Sequence, residues 1–235
     1  MRYACGSEGL EDRTESGWPS GIMKRRDAPI RRPIFVGLTG SVVAGKSAVG
    51  KLFETWGAWR IDADQLARRA VEPGSSPLVQ IQQRWGDVVL HPDGSLDRDA
   101  MRALVFEDEN ERVQLEIIVH PAIRELRKAA RDAAMKAGAL IVLEEVPLLF
   151  ENNLEGDYDV TIVVDARTEV RSARAFVTRN WSAEEFRSID SSQMSSEEKR
   201  KRADYVIENN GDLELLEQSA QLVWNIVSSN SEYDE

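Results

Sequence analysis

Residues 34–47 read IFVGLTGSVVAGKS, and the fold follows from what that stretch requires of its backbone. Ile34–Leu38 is a short unbroken apolar run, the pattern of a strand covered on both faces. It ends in Thr39-Gly40, and from Gly40 to Ser47 the chain matches the spacing G-x-x-x-x-G-K-[ST]. Such a loop leaves a strand, turns with its N–H groups pointing inward, and delivers them to the start of a helix. The helix dipole there also favours anions. The expectation is a phosphate cradle lined by Gly40, Val43, Ala44, Gly45, Lys46, Ser47 and Ala48, with ATP and Mg²⁺ as its ligands. Lys46 reaches the β- and γ-phosphates in this reading, and Ser47 ligates the metal.

Working outward, the same pattern recurs. Ser47–Trp56 reads as a helix with Val49, Leu52 and Phe53 on one face, and Ala58–Ile61 as a second strand. Leu140–Val146 and Val160–Val164 are apolar and strand-like, with the short Tyr205–Ile207 as a fifth. Arg98–Ala137 is helical in composition, with few breakers apart from Pro121. Asp212–Val227 reads as a terminal amphipathic helix. Strands alternating with helices imply an α/β fold: a mostly parallel sheet flanked by helices, of the P-loop NTPase kind. Residues 1–32 show no sustained period and read as an N-terminal extension without a packed core, ahead of a domain at 33–235.

Composition narrows the function. The chain has 235 residues and a net charge of −11, which argues against a general nucleic-acid binder. No apolar run is long enough to span a membrane. The single cysteine, Cys5, and an N-terminus without an apolar signal core fit a cytoplasmic setting. A monomer is expected, with an oligomer left open.

The loop does not say what receives the phosphate. A GTPase would carry N-K-x-D, which is absent, and a motor-type ATPase would want an apolar strand ending in Asp-Glu, which Leu140–Glu145 only approximates. A small-molecule kinase needs a carboxylate near the loop to accept a hydroxyl proton and help hold Mg²⁺. Asp62 and Asp64 follow the second strand, at the edge where parallel α/β sheets bind ligands. Either can serve as the base and as a Mg²⁺ ligand, and one of the two also suits the cap of the helix Gln65–Val71.

The ordered set of segments resembles the dephospho-CoA kinase family over about residues 34–210. Its members are Gly37-Leu-Thr-Gly40 with Gly45-Lys46-Ser47, Ile61-Asp-Ala-Asp64, Asp93-Gly-Ser-Leu96-Asp97-Arg98, His120-Pro121, Pro147-Leu148-Leu149-Phe150-Glu151, and Gln193…Lys199…Ala203-Asp204…Asn209. The resemblance implies phosphorylation of the ribose 3′-hydroxyl of dephospho-CoA by ATP, giving CoA and ADP. It implies a helical substrate-binding insertion at about 66–137 and a lid at about 170–193. It makes Asp64 the favoured base and a candidate Mg²⁺ ligand, Asp62, Arg98, His120, Pro147, Leu148 and Glu151 candidate substrate contacts, and Arg174 or Arg179 of the lid a candidate for the transferring phosphoryl group. The alternatives are a kinase for another nucleoside or nucleotide, and a catalytically idle nucleotide-binding regulator.

The loop departs from the family form, which resembles G-G-I-G-S-G-K-S: Ser41 and Val43 replace glycines, and Ala44 replaces serine. Because a β-branched residue resists positive φ, the expectation is an ordinary backbone conformation at Val43, or a reshaped loop.

Overall fold

The computed structural model describes residues 32–230. The expectation for an unpacked extension over 1–31 lies outside the described residues. Five strands, β1 (Ile34–Gly40), β2 (Trp59–Asp62), β3 (Ile141–Glu145), β4 (Val160–Asp165) and β5 (Tyr205–Glu208), form one parallel sheet in the order β2-β3-β1-β4-β5. The three central strands carry the longest apolar runs, as burial on both faces requires. All five strand readings hold to within one residue at each end, except that β1 runs on through Thr39-Gly40.

The first face of the sheet is covered by α1 (Lys46–Thr55) and α9 (Leu213–Asn230). Val36, Leu38, Val49, Phe53, Leu143, Ile162, Val164, Leu216, Ala220 and Val223 make that core. Phe53 and Trp224 close it edge to face, 5.3 Å between ring centroids. On the second face, Ile61, Val142, Ala134 and Leu66 join the sheet to α2 (Ala63–Arg69) and the long α5 (Glu109–Lys136).

Between β2 and β3 the chain is helical: α2, α3 (Ser76–Trp85), α4 (Arg98–Glu107) and α5. The run read as one helical stretch from Arg98 divides at Asp108, whose carboxylate caps α5 by accepting from Asn110 N. Val71, Ile81, Val89 and Met101 give this segment a hydrophobic cluster of its own. After β4 come α6 (Thr168–Arg179), α7 (Ala183–Ser191) and α8 (Ser196–Arg202). Asn180, in the left-handed conformation, ends α6, and a reciprocal Ser182–Glu185 capping box starts α7. No helix among the described residues is long and apolar enough to cross a membrane.

Strand register decides which residues can meet. Leu38 and Asp62 both pair with Glu145, and Gly40 pairs with Val164. The loop, the end of β3 and the start of α2 therefore come together at the C-terminal edge of the sheet.

Candidate active site

A cavity of about 570 Å³ opens at that edge. It is lined by the whole loop from Gly40 to Ala48, and by Asp64, Pro147, Arg174, Arg179, Gln193 and Asn209 among others. Residues more than a hundred positions apart in sequence converge there because the strands end together.

The loop is gripped from outside. Val42 N donates to Gln193 Oε1 at 3.0 Å, and Val42 O accepts from Arg171 Nη1 at 3.4 Å. Ser41 Oγ and Ser196 Oγ share a hydrogen bond of 2.9 Å. From β5's end, Asn209 Nδ2 donates to Ala44 O at 2.8 Å. A Cβ on Gly45, which has φ 100°, would overlap that same Nδ2. Val43 contradicts the expectation of an ordinary conformation: its φ is 59°. The loop keeps a left-handed turn at a β-branched residue, and the pinned peptides on either side hold it there.

Lys46 and Ser47 open α1. Ser47 Oγ donates to Glu145 Oε2 at 3.1 Å, and Lys46 Nζ lies 3.5 Å from the same oxygen. The Glu145 side chain is 2% exposed, and its other oxygen accepts from Arg60 Nε at 2.5 Å. The weak Glu-Glu approximation to an ATPase strand thus puts its second carboxylate against the loop.

Asp62 and Asp64 divide their tasks. Asp62 Oδ1 accepts from Asp64 N at 2.9 Å and Gln65 N at 3.1 Å, so Asp62 is the N-cap of α2. Asp64, in the first turn, is exposed and faces the cavity. Arg174 Nη2 donates to Asn209 Oδ1 at 3.1 Å and to Gly211 O at 3.3 Å. Its Nη1 is buried and without a hydrogen-bond partner among the described residues. A guanidinium nitrogen left over at the wall of a phosphate-type loop suits an anionic ligand. Arg179 lines the cavity at the end of α6 and stacks on Trp181, 5.0 Å from the ring centroid. Arg171 differs: it is 3% exposed and ties α6 to Asp190 of α7 as well as to Val42.

Among the described residues no cluster of three or more His, Cys, Asp or Glu side chains stands ready for a metal. Mg²⁺ needs none, since it keeps waters and takes one or two hard oxygens plus substrate phosphates. Ser47, Glu145 and Asp64 supply oxygens of that kind.

Of the remaining candidates, Pro147 lines the cavity and the others stand outside its lining. Arg98 opens α4 and His120 sits within α5; both are exposed, and their side chains make no hydrogen bond among the described residues. Pro147 lines the cavity and its carbonyl accepts from Thr39 Oγ1, while Leu148 is exposed and outside the lining. Glu151 is engaged internally, 2.9 Å from the fully buried Lys199 Nζ and accepting from Met194 N at 3.0 Å. That contact fixes the turn that presents Gln193 to the loop. Glu145 and Arg60 were not singled out as site residues, because their signal is the strand register, which no local pattern displays. Gln193 stood only as a member of the tail segment that resembles the family, with no role attached.

The parallel sheet, the loop and the convergent lysine, carboxylates and arginines define a P-loop kinase. A family model for dephospho-CoA kinase matches residues 34–214. A dephospho-CoA kinase of Thermobifida fusca is 42% identical over 189 residues, covering 80% of this chain and 94% of the relative. One of Listeria monocytogenes is 39% identical over 192 residues, covering 82% and 94%. A Thermus thermophilus crystal structure, 37% identical, superposes with a TM-score of 0.74 over 83% of this chain and 98% of that one. The chain belongs to the dephospho-CoA kinase family.

Proposed function

We propose that this chain transfers the γ-phosphoryl group of ATP to the ribose 3′-hydroxyl of dephospho-CoA, giving CoA and ADP, the last step of CoA synthesis. The observation that carries the reading is the meeting of the loop, Asp64, Arg174 and Arg179 around one cavity in a chain of this family. Loop N–H groups and Lys46 hold the ATP phosphates. Ser47 and Asp64 would hold Mg²⁺, which would neutralise phosphate charge. The substrate hydroxyl oxygen bonds to the γ-phosphorus as the bond from phosphorus to the β,γ-bridging oxygen breaks. The hydroxyl proton passes to Asp64. Arg174 and Arg179 supply positive charge to the phosphoryl oxygens, so little beyond positioning and electrostatics is asked of the protein.

The helices of about 66–137, with Arg98 and His120, serve as the substrate-binding insertion in this reading. The segment of about 170–193 serves as the lid. Pure protein with ATP, Mg²⁺ and dephospho-CoA, adenosine, AMP or CMP in turn, followed by ADP release, tests it. Turnover with dephospho-CoA far above the others is expected. A preference for AMP, CMP or adenosine overturns the substrate, and no ADP from any acceptor overturns the enzyme. Near-normal kcat in Lys46→Ala overturns the role of the loop.

A further inference from the structure

Arg60 has no part in that scheme, yet it stands directly behind it. It projects from β2 with its side chain 14% exposed and meets three carboxylates. Nε is 2.5 Å from Glu145 Oε1, Nη1 is 3.4 Å from Glu54 Oε2, and Nη2 is 3.8 Å from Asp62 Oδ2. Burial works against its charge, but the hydrogen bonds and charges of Glu145 and Glu54 outweigh that and hold it cationic. The room for this contact comes from Gly50 on α1: a Cβ there would overlap Glu145 Oε1 and approach Arg60 Nε to 2.9 Å. Arg60 and Glu145 are therefore packed against the helix that carries Lys46 and Ser47.

Glu145 divides its oxygens between two cations. Oε1 faces Arg60, and Oε2 faces Lys46 and Ser47. A phosphate in the loop needs the same ammonium and hydroxyl. Were Lys46 its only cation, a carboxylate this buried would not release it without a large penalty. We propose that Arg60 is a positioning residue for nucleotide binding: it neutralises Glu145 from behind, so that Lys46 and Ser47 are free to turn from that carboxylate to the phosphates. The inference rests on the reading of this cavity as an ATP site.

Without Arg60, Glu145 competes with ATP for Lys46. The expected loss therefore lies in ATP affinity, with the KM for dephospho-CoA unchanged. It also vanishes when Glu145 is made neutral. ATP binding by calorimetry, with no acceptor present, is measured in wild type, Arg60→Gln, Glu145→Gln and the double variant. Arg60→Gln weakens ATP at least about tenfold, and the same change beside Gln at position 145 costs less than about threefold. Arg60→Lys keeps the charge and stays within about threefold of wild type. Wild-type ATP affinity in Arg60→Gln overturns the proposal. So does an equal loss in both backgrounds, which marks a merely structural residue. If Arg60→Gln does not fold, Arg60→Lys decides: a loss of about tenfold or more at an unchanged Tm overturns the proposal. Failure of wild type itself to bind ATP counts against the ATP-site reading and leaves a different signature from any of these.

Discussion

Glu144 and Glu145 are neighbours on β3, both with side chains 2% exposed, and they face opposite sides of the sheet. Glu144 meets three donors: Arg127 Nε at 2.7 Å, Tyr158 Oη at 2.9 Å, and Arg131 Nε. Those partners are occupied elsewhere too, Arg127 with Asp157 Oδ2 at 2.8 Å and Arg131 stacked on Phe35 at 4.4 Å. This network is closed and pins α5 to the sheet. Glu145 is paired as well, but Lys46 and Ser47 on its open side line a cavity, and the proposed scheme gives them a second use there. The contrast separates two roles for a buried carboxylate. Where every partner is satisfied within the fold the group holds structure, and where a partner belongs to the phosphate-type loop the group can set the readiness of a site.

The largest effect should come from the open side. Asp64→Asn keeps the size of the side chain and removes the basic oxygen. We expect kcat to fall roughly 10²–10⁴-fold, the usual range for a general base, with the Tm unchanged. Single-turnover kinetics, where chemistry sets the rate, is the check; wild-type rates there would remove Asp64 from the mechanism. The closed side should behave in the opposite way. Glu144→Ala leaves Arg127 and Arg131 without their shared carboxylate. Both guanidinium groups have side chains 21% exposed, which lets water soften the loss. Stability should fall by about 3 kcal/mol in urea titration, near the lower end for a broken buried pair, with kcat within about twofold. A large kcat loss in Glu144→Ala at full stability would erase the distinction between the two glutamates.

The loop and the strands around it were legible because their signals are local. An apolar run, a G-x-x-x-x-G-K-S spacing and a cap are each written within a few residues. That one of Asp62 and Asp64 caps a helix while both stand at the ligand edge was likewise readable; the structure gives the cap to Asp62 and the cavity to Asp64. What escaped is what the register assembles. Arg60 meets Glu145 across a strand pair, and Gln193 reaches Val42 from the far side of the domain's sequence. Glu144 and Glu145 look identical in the string, and only the pleat tells them apart. Glu151, a candidate substrate contact, pairs with Lys199, a residue with no exposure at all, and no local pattern displays that pairing.

A smaller effect tests how closed the Glu144 network is. Burial raises the pKa of the Tyr158 phenol, Glu144 raises it further, and Arg127 and Arg131 act the other way. A phenol whose folded pKa lies above its unfolded value of about 10 adds stability that is complete below that pH and is lost as pH rises beyond it. Tyr158→Phe should therefore cost about 1 kcal/mol at neutral pH, the net worth of a hydrogen bond. The gap between the two proteins should narrow above about pH 10. Urea midpoints for both, measured at about pH 8 and about pH 10.5, give the sign directly. A gap that widens with pH would mean the phenol is not held neutral by the fold.

The smallest effect returns to the open side and to the loop itself. Val43 sits at φ 59°, where a β-branched side chain crowds the backbone. A non-glycine residue in this region carries about 1–2 kcal/mol of strain. It persists because the flanking peptides are fixed: Val42 through Gln193 and Arg171, Ala44 through Asn209 and the carbonyl of Ser41. Val43→Gly relieves the strain but gives the unfolded chain about 0.5–1 kcal/mol more conformational freedom to lose. The balance favours glycine by a few tenths to about 1 kcal/mol. Since the four anchors do not depend on the Val43 side chain, the loop shape and the KM for ATP should change less than about threefold. Thermal unfolding and ATP kinetics on the same preparation decide it. A stabilised variant with unchanged KM shows that the anchors, and not the residue at 43, shape the cradle. A clear rise in KM would mean that the valine itself limits the motion of the loop, and that the open side of the site depends on stiffness as well as on charge.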